Sequence, residues 1–391
     1  MKNIFYAGVM IFLSGSLYAT VALSTGTNQA ALAGGGVAAP QDSTWVKLNP
    51  AAIVGMGNRV DLSLEYLRPQ NEVKMGGGGL PNAIESEIDD TGNLFFPHFS
   101  MVEQLDSKSA YGIALFVNSG YSSDYSDSRS TPGQFGNYDR KLEYNSYKLS
   151  LVYAHEFNNG WRVGFGPNLS YARVRTDMLA TDAPLRQTSG DNEWDDSFGA
   201  GFQLAVHRQW DRFAFGMSYT SRVWHSEFEK YDDITSHPLD MPNILQTGIA
   251  FKIKEDLTWT FDWQYLNWSS VSASGDNVTD GGFGWSNHNI FKTGLIWEAN
   301  EQWTLRGGYS WGEAPIDSEA AFSNVFAPII IEHYASCGFS YRLDEEWEIG
   351  AAYIHGFENT VTDNGRQIPA AEGTEVTSSV DIVSVGLTYY F

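Results

Sequence analysis

Long runs of period-two alternation leave this chain fewer folds than any other feature of its sequence. From about Asn58 to Phe391, roughly fourteen runs of nine or more residues place apolar side chains on one face and small or polar ones on the other. Leu257, Trp259, Phe261, Trp263 and Tyr265 alternate with Thr258, Thr260, Asp262 and Gln264; Phe213, Phe215, Met217 and Tyr219 alternate with Ala214, Gly216, Ser218 and Thr220. Strands of a soluble sheet average about five or six residues, whereas membrane strands need roughly 9–11. The connections argue the same way. Short breaks at Asp106-Ser107, Asn158-Asn159-Gly160, Trp210-Asp211, Glu255-Asp256, Asn300-Glu301 and Asp344-Glu345 alternate with long ones near 69–93, 119–144, 179–195, 225–242, 269–288, 312–331 and 357–379. That pattern predicts an all-β chain, a transmembrane antiparallel barrel of about 14 strands with tight periplasmic turns and long extracellular loops. Tryptophans fall at both rims. Trp161, Trp210, Trp297, Trp303 and Trp347 lie beside tight turns, and Trp224, Trp268 and Trp311 at long-loop ends, as bilayer interfaces select.

Composition excludes other classes. With 47 Asp+Glu against 24 Lys+Arg, a net charge of −23 offers no basic surface for nucleic acid. Aromatics at 14% and charged residues at 18% are the reverse of a disordered acidic chain. The single cysteine, Cys337, provides neither a disulfide framework nor a Cys-based zinc site. It shares a strand face with Ala335, Phe339 and Tyr341, so it is expected to face lipid. The eight histidines lack metal-site spacing, and no nucleophile, nucleotide, flavin or haem motif is present, so neither an enzyme nor a bound cofactor or metal is expected. Acidic clusters such as Asp191-Asn192-Glu193 and Asp276-Asn277 fit weak calcium binding or plain solvated loops.

The N-terminus carries an address. Lys2, the apolar run Ile4 to Leu13, and small residues at Ala19 and Ala22 have the layout of a secretory signal peptide, read as residues 1–19. No later run approaches the roughly 20 apolar residues of a transmembrane helix. Residues 20–57 do not alternate. Rich in Gly, Ala, Ser and Thr, they suit either a periplasmic tail or a plug packed inside a polar lumen. Asn49-Pro50 suits a tight turn opening a short helix, with Pro50 at the first helical position.

The Gly/Ala-rich stretch, then Asp42-Ser43, then Asn49-Pro50-Ala51 just before the first strand resembles the N-terminal hatch of the FadL family. Met241-Pro242-Asn243 leading to Gly248, Leu257 to Trp268, Thr304 to Tyr309 and Gly338 to Arg342 are similar to family strand sequences. The final Ser384 to Phe391 resembles the C-terminal signal by which the barrel-assembly machinery recognises outer-membrane proteins. The resemblance implies a hatch at 20–57 and a barrel at 58–391, a monomer set among lipid and lipopolysaccharide in the outer membrane of a Gram-negative bacterium. It also implies passive transport of long-chain fatty acids or related hydrophobic compounds. These would be captured between the third and fourth loops and released through a lateral opening in a kinked third strand, placed at Gly112 and Gly120. A general diffusion porin and a surface structural or adhesive barrel are the alternatives.

Two residue sets follow. Met178, Leu179 and Leu185 in the third loop, with Phe228, Tyr231, Ile234, Leu239 and Met241 in the fourth, are apolar enough to catch a greasy ligand or to pack on one another. Alternation places Asp61, Glu65, Lys148, Gln203, Asp262, Arg306, Ser340 and Arg342 on the lumen face. Arg306 is the first candidate partner for a substrate carboxylate, against pairing with Asp262 or with a hatch carbonyl.

Overall fold

The structure is a computed structural model and describes residues 26–74, 76, 88–90, 94–124, 141–177, 190–234, 237–325 and 327–391. The signal-peptide segment, Met178, Leu179 and Leu185 lie outside the described residues. Fourteen strands build one sheet: β1 Arg59–Lys74, β2 Leu94–Gln104, β3 Ser109–Asp124, β4 Lys141–Glu156, β5 Trp161–Thr176, β6 Asp195–Gln209, β7 Phe213–Thr220, β8 Ile244–Lys254, β9 Leu257–Leu266, β10 His288–Glu298, β11 Trp303–Trp311, β12 His333–Arg342, β13 Trp347–Thr362 and β14 Glu375–Tyr390. Two short pieces, Ile88–Asp90 and Trp224–His225, lie alongside β1 and β6. Each strand pairs antiparallel with its chain neighbour, and β14 returns to β1 from Arg59↔Tyr390 to Lys74↔Glu375. The sheet is closed, as the alternation and turn pattern predict.

Several strands run further than expected. β1 continues to Lys74, β3 to Asp124 and β13 to Thr362, into stretches read from sequence as loops. Pairing persists there because polar side chains meet across it: the Thr360 and Thr377 hydroxyls hydrogen-bond at 2.8 Å. The outer face is apolar. Leu62, Leu64, Phe165, Leu169, Phe202, Leu204, Val383 and Val385 are exposed, a band for lipid rather than for water. Cys337 is exposed on this face, opposite the buried Ser340 side of β12. At the tight-turn rim, Trp303 stands 4.7 Å from Tyr341, and Trp347 stands 4.8 Å from Tyr389. Trp268 corrects the expectation of a second girdle residue. It is 2% exposed and faces inward, because it follows the inward-facing Leu266 and packs edge-on to Trp285 at 4.8 Å.

Residues 26–57 form three single turns: α1 Thr27–Ala30, α2 Trp45–Leu48 and a 3₁₀ turn, Pro50–Ile53. Helices this short do not stand alone in water. Asn49 caps the last one by accepting the Ala51 N–H at 3.2 Å, with Pro50 at its start, as the Asn-Pro pair predicts. Everything else that holds this segment comes from the strands.

Candidate functional site

The N-terminal segment is seated against the inward face of the barrel in two ways. The first is a belt of glycines, one on each of nine strands: Gly112, Gly164, Gly216, Gly248, Gly294, Gly308, Gly338, Gly350 and Gly386. A Cβ at Gly164 would lie 2.4 Å from the Ala51 nitrogen, one at Gly308 2.3 Å from the Leu32 carbonyl carbon, and one at Gly216 2.6 Å from the Val37 oxygen. Only a missing side chain lets the segment approach so closely. The second is a set of buried hydrogen bonds. The Asp262 carboxylate accepts the N–H groups of Gly36 at 2.7 Å and Val37 at 2.9 Å. Asp61 accepts the Ser43 N–H at 2.8 Å while forked by Arg59 at 2.7 and 2.8 Å. The Gln203 amide donates to the Val46 carbonyl at 3.0 Å, the Ser218 hydroxyl to the Leu48 carbonyl at 2.7 Å, and the Lys292 ammonium to the Gly34 carbonyl at 3.0 Å. Asn49 donates to the Val37 and Val206 carbonyls at 3.0 and 3.3 Å.

The lumen residues read from alternation are thus brought together, with two adjustments. Arg306 meets neither Asp262 nor a backbone carbonyl of this segment. Its guanidinium donates to the Gln41 side-chain oxygen at 3.0 Å and to Ser340 at 3.1 Å, because Asp262 is already occupied by backbone amides. Arg342 lies exposed at the tight-turn rim, 4.6 Å over the Tyr390 ring. Glu65 accepts the Gly26 N–H at 3.3 Å, and Lys148 and Lys47 both lie over the Phe116 ring, at 5.1 and 4.7 Å.

The wall divides on one side. Among the described residues, β2 and β3 pair only from Phe99↔Leu115 to Gln104↔Ala110. Beyond that point β2 pairs with β1 alone up to Leu94, and β3 with β4 alone up to Asp124. The β3–β4 register shifts between Val117 and Ser119, so Asn118 is an extra residue that bends the strand. Gly120 lies just past this bulge and pairs with Asn145. Gly112 lies below it, paired on both sides with Val102 and Val152, and a Cβ there would meet the Val46 side chain at 2.3 Å. Its role is therefore to seat α2. Leu94 and Phe96, buried on β2, pack with Val117.

At the long-loop end a cavity of about 100 Å³ opens among apolar side chains. All five fourth-loop candidates, Phe228, Tyr231, Ile234, Leu239 and Met241, line it. Sequence reasoning missed Tyr144, Trp285 and Ala327, which come from β4 and two other loops; the Trp268 and Trp285 pair bracketing one loop was the available signal. Tyr231, Asn324 and Asp240 are already engaged. The Tyr231 hydroxyl donates to the Glu193 carbonyl at 2.6 Å and accepts the Thr176 N–H at 3.1 Å. Asn324 accepts the Trp285 indole N–H at 2.6 Å and donates to the Phe283 carbonyl at 2.9 Å. Asp240 accepts the His225 N–H at 2.8 Å, and partial burial pushes its carboxyl above the usual carboxylate range.

Comparison with known proteins adds ancestry to this geometry. The sequence pattern of the outer membrane protein transport protein family (OMPP1/FadL/TodX) matches residues 12–391. A long-chain fatty acid transport protein of Escherichia coli O6:H1 is 21% identical over 392 residues, covering 85% of either chain. Outer membrane protein P1 of Haemophilus influenzae is 23% identical over 314 residues, covering 67% of this chain and 66% of its own. Among solved structures, the Pseudomonas putida toluene transporter TodX superposes with a TM-score of 0.71 at 15% identity, covering 95% of this chain and 99% of its own. A Pseudomonas aeruginosa FadL homologue gives a TM-score of 0.71 at 16% identity, covering 97% and 100%.

Proposed function

The chain belongs to the OMPP1/FadL/TodX family of outer membrane transport proteins, and from that premise we propose that it carries hydrophobic compounds passively across the outer membrane, without enzymatic activity of its own. Long-chain fatty acids and aromatic hydrocarbons are the substrate classes this reading admits, after the long-chain fatty acid transport protein and the toluene transporter it resembles. Substrate enters the apolar cavity beneath the extracellular loops, passes into the upper lumen, and leaves sideways between β2 and β3. Residues 20–57 act as a hatch that keeps the straight path to the periplasm shut.

One observation carries the proposal: among the described residues the β2–β3 seam is unpaired above Leu115, beside apolar Leu94, Phe96 and Val117 and above a floor held by buried hydrogen bonds. The energetics favour that exit. Each buried CH₂ is worth about 0.8 kcal/mol, so a greasy molecule leaving apolar protein prefers the bilayer to periplasmic water. Closure of the sheet within one chain supports a monomer, with lipid and outer-leaflet lipopolysaccharide around its apolar band and β14 as the strand the assembly machinery reads. A diffusion porin would instead need a lumen free of such a floor.

Deleting residues 27–48 tests the reading. Small-ion conductance in planar bilayers should rise from closed to steadily open, and specific uptake of a labelled hydrophobe should fall. Unchanged conductance together with intact uptake would remove the hatch from the mechanism.

A further inference from the structure

We propose that the tight-turn rim at β5, β6 and β7 is a docking site for the phosphate of an anionic phospholipid, with Arg208 as its cation and Trp161 and Trp210 as its walls. This goes beyond the transport reading and does not depend on it. Register places the site. His207 is buried and turned to the Ala38 carbonyl, so Arg208, the next residue of β6, stands on the outward face. There it ends a lipid-facing run that includes Phe202 and Leu204, and it pairs with Trp161 on β5 and Phe215 on β7. Its guanidinium lies 4.8 Å from the Trp210 ring centre and 5.4 Å from that of Trp161. The two indoles meet edge to face at 6.1 Å and 82°. Tight turns of outer-membrane barrels lie on the periplasmic side, so this rim meets the phospholipid leaflet at headgroup depth.

What this cluster lacks is an acceptor. Arg59 forks Asp61, Arg162 donates to Glu156 at 2.6 Å, and Arg306 donates to Gln41. Among the described residues the Arg208 guanidinium has only its two rings, with no acid and no hydrogen-bond acceptor, and the Trp161 and Trp210 indole N–H groups have no acceptor either. A planar fork and two indole donors match a group that only accepts, which is what a phosphodiester is. Phe202, Leu204, Phe213 and Met217, all exposed, give acyl chains a bed beside it, so the occupant is a lipid and not a free ion. Charge points the same way. The turn 157–160 carries no charged residue, and in the two turns flanking it acid and base balance, Asp106 with Lys108 and Asp211 with Arg212. Arg208 is left over. The turns before β11 and β13 carry instead Glu301, Asp344, Glu345 and Glu346, and Arg342 beside them has Glu348 at 3.9 Å. An anionic headgroup is repelled at that sector and admitted at Arg208.

The test uses the full chain purified from outer membranes in detergent, its folding checked by heat-modifiable mobility and its bound lipid read by native mass spectrometry. The probes are dioleoyl phosphatidylglycerol, dioleoyl phosphatidylcholine and inorganic phosphate. Wild type should retain phosphatidylglycerol in preference to phosphatidylcholine. Arg208→Gln should lower its apparent affinity for phosphatidylglycerol about fivefold, the worth of roughly one basic residue at an anionic bilayer surface. Arg208→Lys, which keeps the charge without the fork, should recover part of that loss, and Arg342→Gln at the acidic sector should behave as wild type. Equal retention by Arg208→Gln and wild type overturns the proposal, as does an equal loss in Arg208→Gln and Arg342→Gln. Phosphatidylcholine held as tightly as phosphatidylglycerol overturns the anionic class, and displacement of the lipid by excess inorganic phosphate overturns the lipid as occupant. Where Arg208→Gln does not fold, the double variant Trp161→Phe, Trp210→Phe carries the same test: loss of both indole donors should lower the affinity, and unchanged retention overturns the site.

Discussion

The floor and the loop-end cavity of this barrel are both buried and both built from strands of the same sheet, yet they are held by opposite means. At the floor, glycines bring two backbones into contact and buried polar side chains hold particular partners: Asp262 with Gly36 and Val37, Gln203 with Val46, Arg306 with Gln41. Directional bonds in a low-dielectric setting are costly to break singly, so the floor has one geometry. In the cavity the Tyr231 hydroxyl, the Trp285 indole N–H and the Asn324 amide are turned to protein partners, and aromatic faces remain. Contacts of that kind are non-directional and exchangeable. On the proposed reading, the floor would exclude by shape and the cavity would accept by solubility.

The sharpest way to break that contrast is to compare two adjacent glycines. Gly308 faces the floor, where a side chain would strike the Leu32 backbone at 2.3 Å, and backbone cannot step aside. Gly307 faces outward, with nothing nearer than the Ser336 oxygen at 3.7 Å. Overpacking of this kind costs about 1–3 kcal/mol, occasionally more. Gly308→Leu should therefore lift the floor and produce steady ion conductance in planar bilayers, while Gly307→Leu stays closed. Equal conductance from the two would mean that the glycine belt does not seat the N-terminal segment.

Which parts of this contrast were legible in the sequence follows from the range of the interactions. Strand number rests on local alternation and read correctly, and the apolar character of the fourth loop, which here lines the cavity, rests on local composition. The floor does not: Gly36 and Asp262 are 226 residues apart, and Gln41 and Arg306 are 265 apart. Nothing near Arg306 in sequence says that an amide across the lumen will occupy its fork. The glycines were visible as small residues in mid-strand, but what they face depends on a segment whose place was open between tail and plug. The Asn118 bulge was hidden for a different reason. Phe116 and Ser119 are both buried, so alternation changes phase across an unremarkable polar residue.

Asn49→Ala sharpens the floor side with a smaller effect. The side chain accepts from Ala51 and donates to two carbonyls, so its loss strands buried groups at about 1–3 kcal/mol. Hydrogen exchange should show the Ala51 amide opening faster, with the thermal transition of the barrel itself almost unmoved. Unchanged Ala51 protection would show that the 3₁₀ turn is set by packing rather than by its cap.

The smallest expected effect lies at the cavity rim, in Asp240. Its carboxyl is raised first by burial, which outweighs the His225 N–H it accepts and the Arg222 charge nearby. A carboxyl whose folded value lies above its unfolded one disfavours the fold while ionised, and that penalty vanishes as pH falls through the raised value. Wild type should thus gain stability relative to Asp240→Asn on acidification from neutral pH. The gap should begin to narrow as pH falls through the raised value and be closed only below the ordinary carboxylate value. The readout is the difference in His225 amide protection between the two proteins, followed from pH 8 to pH 4, since that amide is the one Asp240 holds. Because Asp240 is only part-buried, solvent screens the difference, and it should stay well below the change at Asn49. A difference that is flat across the range would mean Asp240 keeps its charge at the cavity mouth, and the rim would then resemble the floor in holding a fixed ionic contact.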